Sequence, residues 1–117
     1  MKTLKVTTDN KLFTVDVDFS DFQSLQNAVG GHFESVKTER LARYLGEDVI
    51  MLVDEDGFMK NLPINPLGSF FNGTAFHGSP IVGDFILAKV IGEDWTAPDD
   101  VGGLKEKMLQ AFRLEEK

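Results

Sequence analysis

Two histidines and one glutamate are the residues in this chain best suited to hold a transition metal. His32 and Glu34 stand two positions apart in a segment that favours a β-strand, so their side chains should lie on the same face. His77, in a later loop, would add a second imidazole to a ligand set that zinc accepts. Nothing in the sequence brings the two histidines together, however, and separate ordinary roles are the simpler interpretation.

Acidic residues form a second group of candidates. Asp54, Glu55 and Asp56 follow one another, and Asp84 begins a later apolar segment. Gathered together, these carboxylates would suit Mg²⁺ binding or acid–base catalysis. Consecutive acids point in divergent directions, and a solvated acidic turn between two strands needs no chemistry to explain it. We therefore predict no catalytic residue, no bound metal and no cofactor.

Asn65 is a candidate for ligand binding rather than catalysis. It is a good N-cap for a helix that begins at Pro66, and this capping role alone explains it. The free N–H groups at such a helix start also favour an anionic ligand, and Gly68 leaves room for its approach. The candidate ligand-binding residues are Asn65, Gly68, Ser69, Gly30, Gly31 and Glu34.

The spacing of apolar residues predicts the elements that must position these candidates. Alternation over 3–8 and 12–18 predicts an antiparallel hairpin. A helix should follow, with Ser20 and Gln23 as a capping box and Gly30 just after its end. The next elements are a strand at 32–39 and a segment at 39–47 that fits a short helix or a loop. A central strand at 49–53 follows, and then a turn at 54–57 with a short return strand beginning at Phe58. After these come a helix from Pro66 to Gly73 and a strand at 81–91 with a bend at Gly83 and Asp84.

A C-terminal helix is predicted from Leu104 onward, with weaker signals just before it. One apolar stripe contains Val101, Leu104, Met108, Ala111 and Phe112, while Leu109 and Leu114 lie on either side of it. The stripe favours a helix that packs on the core. An alternative is that the extra apolar area contacts a second subunit, which would make the protein a homodimer through this helix.

This order of elements predicts an α+β fold in one domain over residues 1–117. We expect a mostly antiparallel sheet of about five strands, covered on one face by the first helix and the helix after Pro66. Within it, 1–95 should form the core and 96–117 a C-terminal helical extension. The apolar segments around Met51 and Ile86 should lie side by side in the middle of the sheet.

Composition excludes several classes of function. The chain of 117 residues has no cysteine, which excludes disulfides, thiolate catalysis and cysteine-ligated zinc. A formal net charge of −7 disfavours direct binding to nucleic-acid backbones. No apolar stretch approaches the roughly 20 residues of a membrane span, and the first residues do not form a signal peptide. These features predict a cytoplasmic protein that does not enter a membrane.

Three stretches together resemble a family found in bacteria and phages, called domain of unknown function 3846. They are Gly30-Gly31 followed by Glu34, the run Glu55-Asp56-Gly57 leading to Leu62-Pro63-Ile64-Asn65, and Ile81-Val82-Gly83-Asp84. The resemblance covers roughly Leu4 to Ile91 and leaves the C-terminal helix outside it. It implies a small α+β fold and a bacterial or mobile-element origin, but it implies no activity.

The leading functional hypothesis is a non-catalytic binding or accessory module with a protein or peptide partner. No catalytic motif is present, and ten phenylalanines are available to form pockets. One alternative is a small metal-dependent enzyme that uses His32, Glu34 and His77 or the acids 54–56. Another is an acidic mimic of nucleic acid, produced by a mobile element to block a DNA-binding protein.

Overall fold

A seven-stranded, mostly antiparallel sheet forms the centre of the computed structural model, which describes residues 1–74 and 78–117. Four helices accompany it, so the fold is α+β as predicted. The strands are β1 (Lys2–Val6), β2 (Lys11–Asp16), β3 (Phe33–Val36), β4 (Val49–Asp54), β5 (Phe85–Ile91), β6 (Asp94–Thr96) and β7 (Glu115–Glu116). The helices are α1 (Phe22–Val29), α2 (Glu39–Leu45), α3 (Pro66–Asn72) and α4 (Val101–Ala111).

The two most apolar segments pair with each other inside the sheet, which confirms their predicted position. The strand order is β3-β4-β5-β1-β2-β7, and β6 pairs with β5. Strands β4 and β5 are antiparallel, with Met51 opposite Leu87 and Leu52 opposite Ile86. Every residue of β4 is buried because the strand has neighbours on both edges and side-chain layers on both faces.

Helices cover both faces of the sheet, so the prediction of a single covered face was wrong. Side chains of β4 alternate between two apolar clusters, with Met51 in one and Leu52 in the other. The first cluster is closed by α2, α3 and α4, and the second by α1, through Leu25 and Val29. A strand without polar alternation needs apolar cover on each side, and α1 and α3 therefore lie on opposite faces.

The ends of the helices follow local capping rules, with one difference from the prediction. The N-cap of α1 is Asp21, whose carboxylate accepts the N–H of Gln23 at 3.0 Å. Ser20 does not cap the helix, because its hydroxyl donates to Asp18 at 2.6 Å. Gly30 ends α1 in the left-handed conformation, at φ 108°, as predicted. The ambiguous segment after β3 is helix α2, which Thr38 caps through the N–H of Leu41.

The segment after β4 is a compact loop, and the predicted return strand at Phe58 is not formed. Residues 55–61 fold as consecutive turns, in which the N–H of Lys60 donates to the Asp56 carbonyl at 3.0 Å. The N–H of Leu62 then donates to the Gly57 carbonyl at 3.0 Å. The chain therefore curls back toward the end of β4 rather than pairing with it along its length.

The C-terminal helix packs on the chain's own core. It begins at Val101, because Asp100 caps it through the N–H of Gly103 at 3.0 Å. Leu104 and Met108 of the predicted stripe are buried in the cluster that α2 and α3 also close. The short strand β7 follows and pairs in parallel with β2, which the sequence did not indicate. No helix among the described residues is long and apolar enough to cross a membrane.

Candidate functional site

The segments that carry the family resemblance meet at one end of the sheet, where β4 ends. The N–H of Glu55 donates to the carbonyl of His32 at 3.0 Å, which ties the acidic loop to the segment after α1. The N–H of Gly83 donates to the carbonyl of Pro63 at 2.8 Å, which ties the chain before β5 to the end of the same loop. Three stretches that are distant in sequence thus form one corner of the molecule.

An ion pair between the buried Asp54 and the exposed Lys60 lies at the centre of this corner. The Asp54 side chain is only 2% exposed, and its Oδ2 lies 2.7 Å from the Nζ of Lys60. The other carboxylate oxygen accepts the N–H of Asp56 at 2.8 Å, and Lys60 also donates to the carbonyl of Gly30 at 3.3 Å. Asp54 is therefore not a solvated turn acid, as the sequence suggested, but a fixed structural group that anchors Lys60.

Two glycines allow the backbone segments at this corner to approach each other closely. A Cβ at Gly31 would collide with Nζ of Lys60 and lie 3.3 Å from Oδ2 of Asp54. A Cβ at Gly57 would lie 2.5 Å from Cγ2 of Val82. The absence of side chains at these two positions is therefore what lets the loop close over the end of the sheet.

His32, Glu55 and Asp56 form a cluster of potential metal ligands. One ligand atom from each lies within 4.8 Å of the others, and Nδ1 of His32 is 3.4 Å from Oδ2 of Asp56. The structure thus combines a residue from the predicted histidine site with two residues from the predicted acidic site. Among the described residues, no other group of three such side chains meets at these distances.

The remaining predicted metal and carboxylate residues are placed elsewhere. Glu34 is exposed on β3, opposite Val53, and is not part of the cluster around His32. Asp84 accepts the N–H of Thr8 at 3.1 Å and lies 3.8 Å from the amine of Lys5. His77 lies outside the described residues.

Asn65 is fully buried, and its side chain serves the fold at three points. Its Oδ1 accepts the N–H of Gly68 at 2.9 Å, which confirms the predicted N-cap. Its Nδ2 donates to the carbonyls of Val6 and Gly83, at 3.2 and 3.0 Å. The hydroxyl of Ser69 is bonded to the backbone of Ile81. The polar groups of Asn65 and Ser69 and the N–H of Gly68 already have partners within the fold. A ligand role for these three residues stays a prediction.

An open cleft of about 480 Å³ lies beside the ion pair, between α1 and the acidic loop. Six polar side chains line it, those of Gln23, Gln26, Asn27, His32, Asp56 and Lys60, together with the backbone at Gly30 and Gly31, and its wall exposes polar and apolar atoms in about equal measure. Sequence reasoning did not single out Lys60 or the three amides. The amides repeat at helical spacing on α1, which was a readable signal, whereas the position of Lys60 depends on the curled loop.

Comparison with known proteins agrees with the resemblance and extends it. No curated protein and no solved structure matches the chain. A family model matches residues 1–112, and therefore includes α4, which the resemblance had left outside. Because the match covers nearly the whole chain, this protein belongs to the family described as Domain of unknown function (DUF3846).

Proposed function

We propose that this protein is a non-catalytic binding module that recognises a peptide segment of a partner protein at the cleft beside Lys60. The observation that carries the proposal is that two segments, α1 and the loop at 55–61, both line the cleft and expose large apolar side chains. Protein-binding surfaces combine such apolar anchors with polar groups that fix the orientation of the partner.

The polar part of the cleft suits the backbone of an extended peptide. Gln23, Gln26 and Asn27 each offer a donor and an acceptor, which matches the N–H and C=O groups of a peptide bond. Gln23 already donates to Asn27 at 2.9 Å, so these two amides hold each other in a defined orientation. Lys60 adds one positive charge at the other wall of the cleft.

The apolar contribution comes from exposed side chains that lie on the same two segments as the cleft but are not among its lining residues. Phe22, on α1, is 71% exposed and its ring centroid lies 5.3 Å from that of Phe33. Met59, in the acidic loop, is 85% exposed, and Phe58 beside it is also exposed. Exposed phenylalanine and methionine are typical of binding surfaces, because their burial by a partner releases water from apolar area.

The other two hypotheses have less support. An acidic mimic of nucleic acid requires a continuous acidic surface, but lysine amines interrupt it: Lys11 lies 3.1 Å from Asp9 and Lys105 lies 2.8 Å from Glu116. An enzyme requires reacting groups around a bound substrate, and of the candidate acids 54–56, Asp54 is buried against Lys60.

A selection from a random peptide library displayed on phage, with the intact protein as bait, tests the proposal. Enriched peptides should bind the variant Asn27→Ala/Met59→Ala at least about tenfold more weakly than the wild type, as measured by fluorescence anisotropy. Both side chains are exposed, so the melting temperature should stay close to that of the wild type.

The matched control changes one polar and one exposed apolar residue away from the cleft. Lys107→Ala/Ile91→Ala should bind the same peptides as the wild type does, because these residues lie on α4 and at the end of β5. A selection that enriches no peptide contradicts the proposal. Equal loss of affinity in both double variants contradicts it as well, because the binding surface would then lie elsewhere.

A further inference from the structure

We propose that His32, Glu55 and Asp56 form a binding site for a first-row divalent cation of the zinc class. The site adds to the peptide-binding function and does not depend on it. It differs from the ligand sets that the sequence indicated, because it takes one residue from the segment after α1 and two from the loop after β4.

The separation of the ligand atoms suits a common metal ion. Two ligands at roughly 2.1 Å from a tetrahedral ion lie roughly 3.4 Å apart, and Nδ1 of His32 is 3.4 Å from Oδ2 of Asp56. This distance is long for a hydrogen bond between the two groups. Glu55 is exposed, so rotation of its side chain brings the third oxygen into range without disturbing packed atoms.

The backbone holds the ligands in place before any ion arrives. The N–H of Glu55 is bonded to the carbonyl of His32 at 3.0 Å, so the two loops cannot separate freely. The N–H of Asp56 donates a hydrogen bond to the buried carboxylate of Asp54 at 2.8 Å, which fixes the backbone that carries the Asp56 ligand. A site on a fixed backbone loses less conformational freedom on binding than one on mobile loops.

The local charge also favours a cation. Lys60, the lysine that lines the cleft, is paired with Asp54 at 2.7 Å. Within residues 1–74 and 78–117, no lysine or arginine forms an ion pair with Glu55 or Asp56. The two carboxylates are therefore available to balance the charge of a divalent ion.

The ligand types select the class of ion. Mg²⁺ and Ca²⁺ prefer oxygen ligands alone, whereas one imidazole with two carboxylates suits zinc and its first-row neighbours. Three protein ligands leave a fourth position open, as in zinc sites that bind an exchangeable ligand. Because His32 and Asp56 also line the cleft, that position would be accessible to a carboxylate or imidazole of a bound peptide.

Isothermal titration calorimetry of the full chain with ZnCl₂ tests the site directly. We expect one Zn²⁺ per chain, no binding of MgCl₂ at the same concentration, and a rise in melting temperature with Zn²⁺. The absorption of bound Co²⁺ reports the geometry, since tetrahedral coordination gives intense visible bands. His32→Ala and Glu55→Gln/Asp56→Asn should each weaken Zn²⁺ at least about tenfold.

Glu34→Gln is the matched control, because it removes an exposed carboxylate from the neighbouring strand. It should bind Zn²⁺ as the wild type does. The assignment is wrong if the wild type binds no Zn²⁺, if the cluster variants bind it unchanged, or if Glu34→Gln weakens it equally. Near-UV circular dichroism of each metal-free variant separates loss of ligands from loss of the fold.

Discussion

The three consecutive acids after β4 have different roles, although the sequence gives them the same chemistry. Asp54 is buried and paired with Lys60, while Glu55 and Asp56 remain accessible to solvent. The turn itself could be predicted from the acids and Gly57. The ion pair could not, because it depends on the consecutive turns of residues 55–61, in which the N–H of Lys60 donates to the Asp56 carbonyl and so brings Lys60 back to the end of β4.

The pair Asp54–Lys60 makes Gly31 sensitive to substitution. Gly31→Ala adds a methyl group that collides with Nζ of Lys60, so the amine must shift and its contact with the Asp54 carboxylate weakens. Because Lys60 is flexible and exposed and its amine can move into water, we expect a loss of no more than about 1 kcal/mol in the free energy of unfolding. Urea denaturation of the variant and the wild type measures this difference.

A double-mutant cycle tests the stated cause. If the cost of Gly31→Ala arises through Lys60, it should be much smaller in the background Lys60→Met, where no ammonium group remains to be displaced. An equal cost in both backgrounds would instead indicate a backbone effect at Gly31 that is independent of the ion pair.

At the scale of elements, the best predictions rest on residues whose local role agrees with the overall packing. Asn65 before Pro66 predicts the start of α3, and its buried side chain then joins α3 to β1 through the Val6 carbonyl. Gly30 likewise ends α1 as predicted. Ser20 failed as a cap because Asp21 stands next to it, and both residue types suit the same position.

The start of α4 contains two adjacent glycines, Gly102 and Gly103. Alanine substitutions at these positions distinguish the effect of helix propensity from the effect of the N-cap. A Cβ at Gly102 would meet no atom within 4 Å, whereas one at Gly103 would lie 2.9 Å from Cγ of Asp100. Gly102→Ala should therefore stabilise the protein by about 0.5–1 kcal/mol, because alanine favours the helix. Gly103→Ala should be less stable than Gly102→Ala by about 1 kcal/mol, because the methyl group displaces the capping carboxylate.

Thermal and urea unfolding of the two alanine variants provide the measurement. Asp100→Ala is the control, since it removes the cap without adding a methyl group. In that background the two glycine substitutions should have similar effects. If Gly103→Ala is as stabilising as Gly102→Ala in the wild-type background, the cap contributes nothing to α4.

At the scale of the whole molecule, the sequence predicts the middle of the sheet better than its edges. Strands β4 and β5 are apolar on both faces, so they need cover on both sides and fit only in the middle of the sheet, where they pair with each other. Strand β7 has only Glu115 and Glu116, which pair in parallel with Lys11 and Leu12 of β2. Such short edge strands have no periodicity to detect.

The edge formed by β1, β2 and β7 carries carboxylates that respond to acid. The N-terminal ammonium donates a hydrogen bond to Asp16 and so holds the pKa of that carboxyl below its usual value of 3.8. A hydrogen bond from Thr7, followed by one from Lys11, lowers the pKa of Asp9. A hydrogen bond from Lys117 lowers the pKa of Glu115 from 4.5. These groups stabilise the fold once they are ionised above their unfolded pKa values.

Acid should therefore loosen this edge before it loosens the centre. A carboxyl with a lowered pKa loses its stabilising contribution as the pH falls through the folded-state value, so the loss should set in below about pH 4. Hydrogen exchange corrected for intrinsic rates should show that protection in β2 and β7 decreases between about pH 6 and about pH 3, while β4 stays protected. Asp16→Asn should reduce the change in β2, because the neutral side chain no longer titrates. Equal loss of protection in β4 and β2 would mean that acid acts on the whole fold rather than on this edge.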